Sequence, residues 1–204
     1  MTERQVGAVL CDVDGVLRIW AELAEVDLAH GLAPGTVAGA AFRAERLLPA
    51  VTGQVTDEQW RAGVAEDLTS VCGSAERAAA VVAAWGRQPS EPDLEVLALL
   101  TAARRSVPVV LVSNGTTRLE ADLVALGLDR AADAVVNTAR LGFAKPDERV
   151  YRVAAERAGV PVGRCLFVDD SAANVAAAAA VGMHGHHHRG ASGLARVLAD
   201  HGLL

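Results

Sequence analysis

Lysine is almost absent from this chain: of 204 residues, 18 are arginine and a single one, Lys145, is lysine. Asparagine is nearly as scarce, confined to Asn114, Asn137 and Asn174. A coding bias toward Arg, Asp and Val accounts for scarcity of this kind, so what matters is which groups surround the residues that remain. An ammonium is a compact point charge on a flexible stem and a guanidinium is a wide planar fork, so a narrow gap between two anions suits only the first. Cysteine is scarce as well. Cys11, Cys72 and Cys165 are odd in number and lack CxxC spacing, which argues against a disulfide framework or a zinc site. Cys11 and Cys165 fall in apolar runs and read as buried small hydrophobes.

Positive charge is in deficit, with a net charge of −6 and a pI near 5.5. No basic stripe interleaved with aromatics is available to neutralise a nucleic-acid backbone. A small anionic substrate remains compatible, because a bound divalent cation reverses the local field. Long apolar runs are missing too. "VPVVLV" and "VAAAAAVGM" are too short to span a bilayer. The polar start and the lack of a small-residue cleavage site argue against a signal peptide. The expectation is a cytoplasmic protein without nucleic-acid or membrane partners.

With 51% hydrophobic and 22% charged residues, the chain can bury a proper core. Short β-rich runs alternate with helical stretches, the pattern of βα units around a parallel sheet. The predicted strands are "AVLCDVD", "VPVVLVSN", "DAVVNT", "CLFVDD" and "MHGHHH". Their continuous apolar character suits burial on both faces. Thr117 with Glu120 reads as a capping box, as does Thr56 with Gln59, and Gly127, Gly159 and Gly182 read as helix stops. Between Arg18 and Gln88 the alternation stops. That segment reads as purely helical, with one helix around "PGTVAGAAFRAERLL", one after Thr56 and one from Ser74 through Trp85; "GRQPSEPD" reads as the return linker. A connection of roughly seventy residues exceeds any ordinary loop and predicts a small domain of its own. The expected architecture is α/β: a Rossmann-like core over 1–17 and 89–204, with a helical cap domain over 18–88.

The chemistry-bearing residues follow the strands. The first strand ends in "CDVDGVL" and the fourth in "FVDDSAAN", which puts Asp12, Asp14, Asp169 and Asp170 at the carboxyl ends of a parallel sheet, where sites form. Any one of them could simply cap a helix. Two pairs converging on one crevice repel one another unless a cation binds, and an all-oxygen ligand set suits Mg²⁺. The second strand ends in "VSNGT", bringing Ser113 and Asn114 to the same crevice beside a helix N-terminus that favours anions. "GFAKPDERVY" after the third strand delivers Lys145.

DxDG, a Ser-Asn, a Lys-Pro-Asp and a DD pair, in this order over nearly the whole chain, resemble the haloacid dehalogenase superfamily, and the helical insertion is similar to the cap of its subclass I. The resemblance implies a Mg²⁺-dependent phosphatase acting on a small-molecule phosphate ester. Asp12 would be the nucleophile, forming an aspartyl-phosphate, and Asp14 the acid for the leaving alcohol and then the base for water. Ser113 and the backbone beside Asn114 would hold the phosphoryl oxygens, and Lys145 would bridge nucleophile and phosphoryl group. Mg²⁺ would take the Asp12 carboxylate, the Asp14 main-chain oxygen and one of the DD pair, Asp170 directly with Asp169 behind it, or the reverse. Asn174 reads as a loop brace.

Three other readings stay open at this point. A haloacid dehalogenase uses the same nucleophile, but has no use for Mg²⁺ and lacks the second Asp of DxD. A phosphomutase shares the core and retains the phosphoryl group. A non-catalytic phosphate-binding or regulatory protein could be built on the same fold. Arg18 and Trp20, which follow the nucleophile loop, are the leading candidates for touching the leaving group, ahead of His30, Arg43, Arg46 and Trp60; Trp60 and Trp85 read first as packing. "HGHHHRG", from His184 to Gly190, reads as a strand and its exit, with transition-metal binding as the alternative. The composition permits a homodimer.

Overall fold

The computed structural model describes residues 6–22 and 24–204. Its strands are β1 (Ala8–Cys11), β2 (Arg18–Trp20), β3 (Ser90–Pro92), β4 (Val109–Ser113), β5 (Ala134–Asn137), β6 (Cys165–Asp169) and β7 (His184–His187). Its α-helices are α1 (Ala24–Ala29), α2 (Thr36–Ala41), α3 (Ala44–Val51), α4 (Asp57–Cys72), α5 (Ala75–Trp85), α6 (Leu94–Ala103), α7 (Leu119–Ala125), α8 (Glu148–Ala158), α9 (Ala172–Ala180) and α10 (Ala191–Asp200). Five strands form one parallel sheet in the order β5-β4-β1-β6-β7. The order reverses at β1, and the crevice at the carboxyl ends beside such a reversal is where an open α/β sheet binds ligands.

The two-residue period of the strands divides the core. Val9 and Cys11, with Val109, Leu111, Leu166 and Val168, face one side and pack with Leu100, Leu123 and Leu198 of α6, α7 and α10. Ala8, Leu10, Val110, Val112 and Phe167 face the other and pack with Tyr151 and Ala178 of α8 and α9. Each fully buried Leu or Val contributes about 1.5–3 kcal/mol, so burial on both faces fixes the strand register and hence the height at which each following side chain emerges. A third cluster, built on Val37, Trp60, Val64, Leu68, Val82 and Trp85, holds α2 to α5 together away from the sheet.

Three expectations need correction. The segment after the first strand is not purely helical: β2 pairs antiparallel with β3, Arg18 opposite Pro92 and Trp20 opposite Ser90, so the chain leaves and returns through a two-stranded ribbon. Strands of three residues carry too little alternation to read in a sequence, and β3 lies inside the stretch expected as linker. The helix expected over "PGTVAGAAFRAERLL" is two, α2 and α3, because Arg43 adopts an extended conformation (φ −59°, ψ 139°) between them. Thr117 and Glu120 form no capping box; α7 begins after Arg118 with no side-chain cap. The Thr56 and Gln59 box does form.

Candidate active site

Asp12 lies just past the end of β1 with its amide donating to the Val168 carbonyl (2.8 Å), so sheet pairing continues through the residue and fixes its side chain at the crevice. Asp12 is 7% exposed, and its carboxylate accepts the Val13 amide at 2.7 Å. Lys145, equally enclosed, inserts its ammonium between two carboxylates, 2.9 Å from Asp12 Oδ1 and 2.7 Å from Asp169 Oδ2, and donates a third bond to the Val112 carbonyl at 2.9 Å. All three protons are used on oxygens.

The rare asparagines brace this arrangement. Asn114 donates to the Lys145 carbonyl (3.0 Å) and accepts from its amide (2.8 Å), locking the lysine loop to the end of β4. Asn174 Nδ2 reaches both oxygens of Asp169, at 3.0 and 3.1 Å. The third, Asn137, adjoins none of the strand-end motifs in the sequence, yet it donates to the Thr116 carbonyl (2.9 Å) and accepts the Ala139 amide (3.1 Å), bracing the loop after β4. Ser113 is buried at the last position of β4, opposite Asn137.

Gly15 (φ +79°) turns the chain after Asp14, and a Cβ there would overlap the Asp170 carboxylate. Asp14 is gripped by Arg18, Nε to Oδ1 at 2.8 Å and Nη2 to Oδ2 at 2.9 Å, and by Trp20 Nε1 at 2.6 Å. Arg18 is 4% exposed and reaches Asp122 with its remaining nitrogen, at 3.4 Å. Asp14, Arg18, Trp20, Trp60 and Asn114 line one cavity of about 310 Å³. His30, Arg43 and Arg46 do not; Arg46 is spent on Asp67 through two 2.8 Å bonds.

Oxygens of Asp12, Asp169 and Asp170 lie within 4.8 Å of one another, and among the described residues no other group of three potential ligands could hold a metal ion. One ammonium faces three carboxylates. Burial, the largest influence, pushes the Asp12 carboxyl up; Lys145 pulls it back, Asp169 pushes it further, and the net direction is up. Burial followed by Asp169 does the same to Asp170. Burial opposes charge on Lys145, but Asp12 and Asp169 outweigh it and hold the ammonium above its ordinary value. The site is short of positive charge, and a divalent cation fits that shortfall. The histidine run gathers no such set. His184 stacks edge-on with His201 (5.2 Å) and His186 with His188 (6.5 Å).

The model of the haloacid dehalogenase-like hydrolases matches residues 6–182. Among curated relatives, a phosphatase of Mycobacterium tuberculosis (MT3486) is 36% identical over 91 residues, 44% of this chain and 42% of the relative. An (S)-2-haloacid dehalogenase of Burkholderia cepacia is 35% identical over 77 residues, 37% of this chain and 33% of the relative. Both matches span under half of the relative's length. Among solved structures, a haloacid dehalogenase family enzyme of Bacteroides thetaiotaomicron, in complex with magnesium and inorganic phosphate, superposes with a TM-score of 0.69 at 20% identity, covering 90% of this chain and 94% of that one. No helix among the described residues is long and apolar enough to cross a membrane.

Proposed function

We propose that this chain, which belongs to the haloacid dehalogenase-like hydrolases, hydrolyses small-molecule phosphate monoesters through an aspartyl-phosphate on Asp12, with Mg²⁺ held in the acidic cluster. The observation that carries this reading is the Lys145 ammonium enclosed between Asp12 and Asp169, with the second carboxylate, Asp14, two residues on and facing a cavity. An Asp12 oxygen attacks phosphorus, the bond from phosphorus to the leaving oxygen breaks, and Asp14 gives that oxygen its proton. Water then attacks phosphorus and passes a proton to Asp14 as the bond to Asp12 breaks, leaving inorganic phosphate and a free alcohol. Asp14 can serve twice because loss of the proton in the first half prepares it for the second.

Lys145 offsets the charge of two anions brought together, and Ser113 with the backbone at Asn114 receives the phosphoryl oxygens. Asp12, the Asp14 carbonyl and Asp170 would hold the metal. Both oxygens of Asp169 are already engaged by Lys145, Asn174 and the Ser171 amide, which supports Asp170 as the direct ligand. Bound there, Mg²⁺ supplies positive charge against the carboxylates and the phosphoryl oxygens. Residues 18–88 act as a cap that walls the leaving-group side from water.

The dehalogenase relative raises carbon–halogen hydrolysis as the competing chemistry, since it uses the same nucleophile. It has no task for Asp14 as a proton donor or for a metal, and the presence of Asp14 beside the cavity and of a carboxylate cluster that fits a metal favours phosphoryl transfer. The deciding experiment is hydrolysis of an aryl phosphate with and without Mg²⁺ by the native protein and by Asp12→Asn, beside chloride release from a 2-chloroacid. Phosphate release that needs both Mg²⁺ and Asp12 is expected. Chloride release without phosphate release would replace this reading with the other.

A further inference from the structure

The chain has seven aromatic side chains of the Phe, Tyr and Trp type, and four of them, Trp20, Trp60, Trp85 and Phe42, line the cavity beside Asp14. All three tryptophans are among them. Resting on the phosphatase reading, we infer that the leaving group is a flat aromatic alcohol carrying no negative charge of its own.

The cavity is lined by Asp14 and not by Asp12 or Lys145, so it adjoins the carboxylate that would give the leaving alcohol its proton. Its aromatic walls are fixed edge to face: Trp85 meets Trp60 at 5.6 Å and Phe42 at 5.9 Å between centroids. Arg61 lies over Trp60 and Trp85, at 5.9 and 5.7 Å, and Arg18 over Trp20 at 4.7 Å, so an incoming ring would meet the edges and remaining faces, an arrangement favoured by the quadrupoles of both partners. A volume of about 310 Å³ accommodates a small ring system and is at the low end for small-molecule sites.

The charged groups in the wall argue against an acidic leaving group. Arg18 is committed to Asp14 and Asp122, and Arg61 gives its Nε to Asp57 at 2.6 Å. Three carboxylates against two guanidinium groups leave the lining net acidic. A substrate bearing a carboxylate would compete with Asp14, Asp57 and Asp122 for these two guanidinium groups and would meet three carboxylates in the same wall.

The test compares benzyl phosphate with ethyl phosphate, 4-carboxybenzyl phosphate and phosphocholine in the presence of Mg²⁺. Benzyl and ethyl phosphate both release alkyl alcohols, so their difference in kcat/KM reads ring binding rather than leaving-group acidity. Benzyl phosphate is expected to lead ethyl phosphate by about tenfold or more, with the carboxylated and cationic esters behind it. Phe42→Ala, at a side chain 50% exposed, should reduce the benzyl-to-ethyl ratio. Equal values for benzyl and ethyl phosphate, or a lead for either charged ester, overturn the inference and leave the phosphatase reading standing. Failure to hydrolyse any ester, an aryl phosphate included, overturns the phosphatase reading instead. Tryptophan fluorescence under benzyl alcohol then decides the cavity alone: a saturable change weakened by Phe42→Ala supports an aromatic occupant, and no saturable change removes it.

Discussion

Arg18 closes on Asp14 through two parallel hydrogen bonds, 2.8 Å from Nε to Oδ1 and 2.9 Å from Nη2 to Oδ2. A guanidinium fork holds a carboxylate in one plane, so the group proposed to move the proton is aimed by a residue at the start of β2. Trp20, two positions further on the same strand, adds a third donor to Oδ1. The ribbon of β2 and β3 therefore connects the helical segment to the orientation of Asp14.

Replacing Arg18 by Ala should lower kcat by about a hundredfold, the scale set by loss of orientation at a reacting group. The Asp14 side chain is 40% exposed, so the loss of folding stability is small, about 1 kcal/mol. Steady-state kinetics beside thermal unfolding separate the two effects. Native kcat in a folded Arg18→Ala protein would show that Asp14 needs no such grip.

Lys145→Arg tests whether the gap between Asp12 and Asp169 admits only a narrow cation. The ammonium is enclosed by oxygens at 2.7 to 2.9 Å on three sides, and its side chain is 1% exposed. A guanidinium keeps the charge but overfills the space, at a cost of about 1–3 kcal/mol. Its nitrogens cannot meet all three oxygens at those positions. A loss of about a hundredfold or more in kcat is expected. Lys145→Met should be worse for stability, since it leaves two enclosed carboxylates without a countercharge. Full activity of Lys145→Arg would make the single lysine of this chain an accident of composition.

Gly15→Ala should disturb both backbone and metal cluster. Its φ of +79° costs a residue with a Cβ roughly 1–3 kcal/mol, and the added methyl would occupy the space of the Asp170 carboxylate. The variant should require more Mg²⁺ for half-maximal activity than the native protein. A Mg²⁺ titration with unchanged midpoint would remove Asp170 from the ligand set.

Acid should weaken the fold through the histidines of β7 and the C-terminal helix. Burial, with His188 and His187 adding to it, pushes His186 down, and burial with His184 does the same to His201. Both favour the neutral ring in the folded state. Between the depressed folded value and the ordinary value near 6.5, the unfolded chain therefore binds more protons than the folded one. Stability is fully present above about pH 6.5 and falls as the pH drops through the folded values. The raised Asp12 and Asp170 carboxyls act in the opposite sense over this window, so the histidine contribution is read as a difference: from pH 7 to pH 5 the unfolding midpoint of the native protein should fall relative to that of His186→Phe. Parallel courses in the two proteins would assign the effect to other groups.

Much of this architecture was legible because apolar runs buried on two faces need no partner to be recognised. "VPVVLVSN" and "CLFVDD" read as strands from composition alone, and the polar residues that end them read as site residues from the strand-end rule. Thr56 and Gln59 were legible for the same reason: a capping box is a local contract between residues three apart. Nothing local marked β3, whose Ser90, Glu91 and Pro92 are a strand only because Arg18 to Trp20 lie opposite. Nor did the sequence tell that Asn114 is spent on the Lys145 backbone 31 positions away. The roles of Arg18 and Trp20 were half visible. They line the cavity beside Asp14, near the nucleophile loop as expected, while their hold on Asp14 depends on a turn at Gly15 that brings side chains four and six positions apart onto one carboxylate.

Thr117 failed as a helix cap because it is engaged elsewhere, and that engagement can be tested. Its hydroxyl accepts the Asp57 amide at 2.9 Å, while Thr116 donates to Asp57 Oδ1, also at 2.9 Å. Asp57 is buried at the first turn of α4, so these bonds fasten the helical segment to the loop that follows Ser113 and Asn114. The orphan amide of a helix start is satisfied from the opposite side of the cavity. Thr117→Val keeps the shape and removes the acceptor, leaving that amide unpaired at a cost of about 1–3 kcal/mol against the closed arrangement. Loosening the closed arrangement without touching the strand-end carboxylates should raise KM several-fold with a smaller change in kcat, because the walls around the leaving group come apart more readily than the groups at Asp12. A drop in kcat at constant KM would mean instead that the pair sets the position of the phosphoryl-binding loop itself.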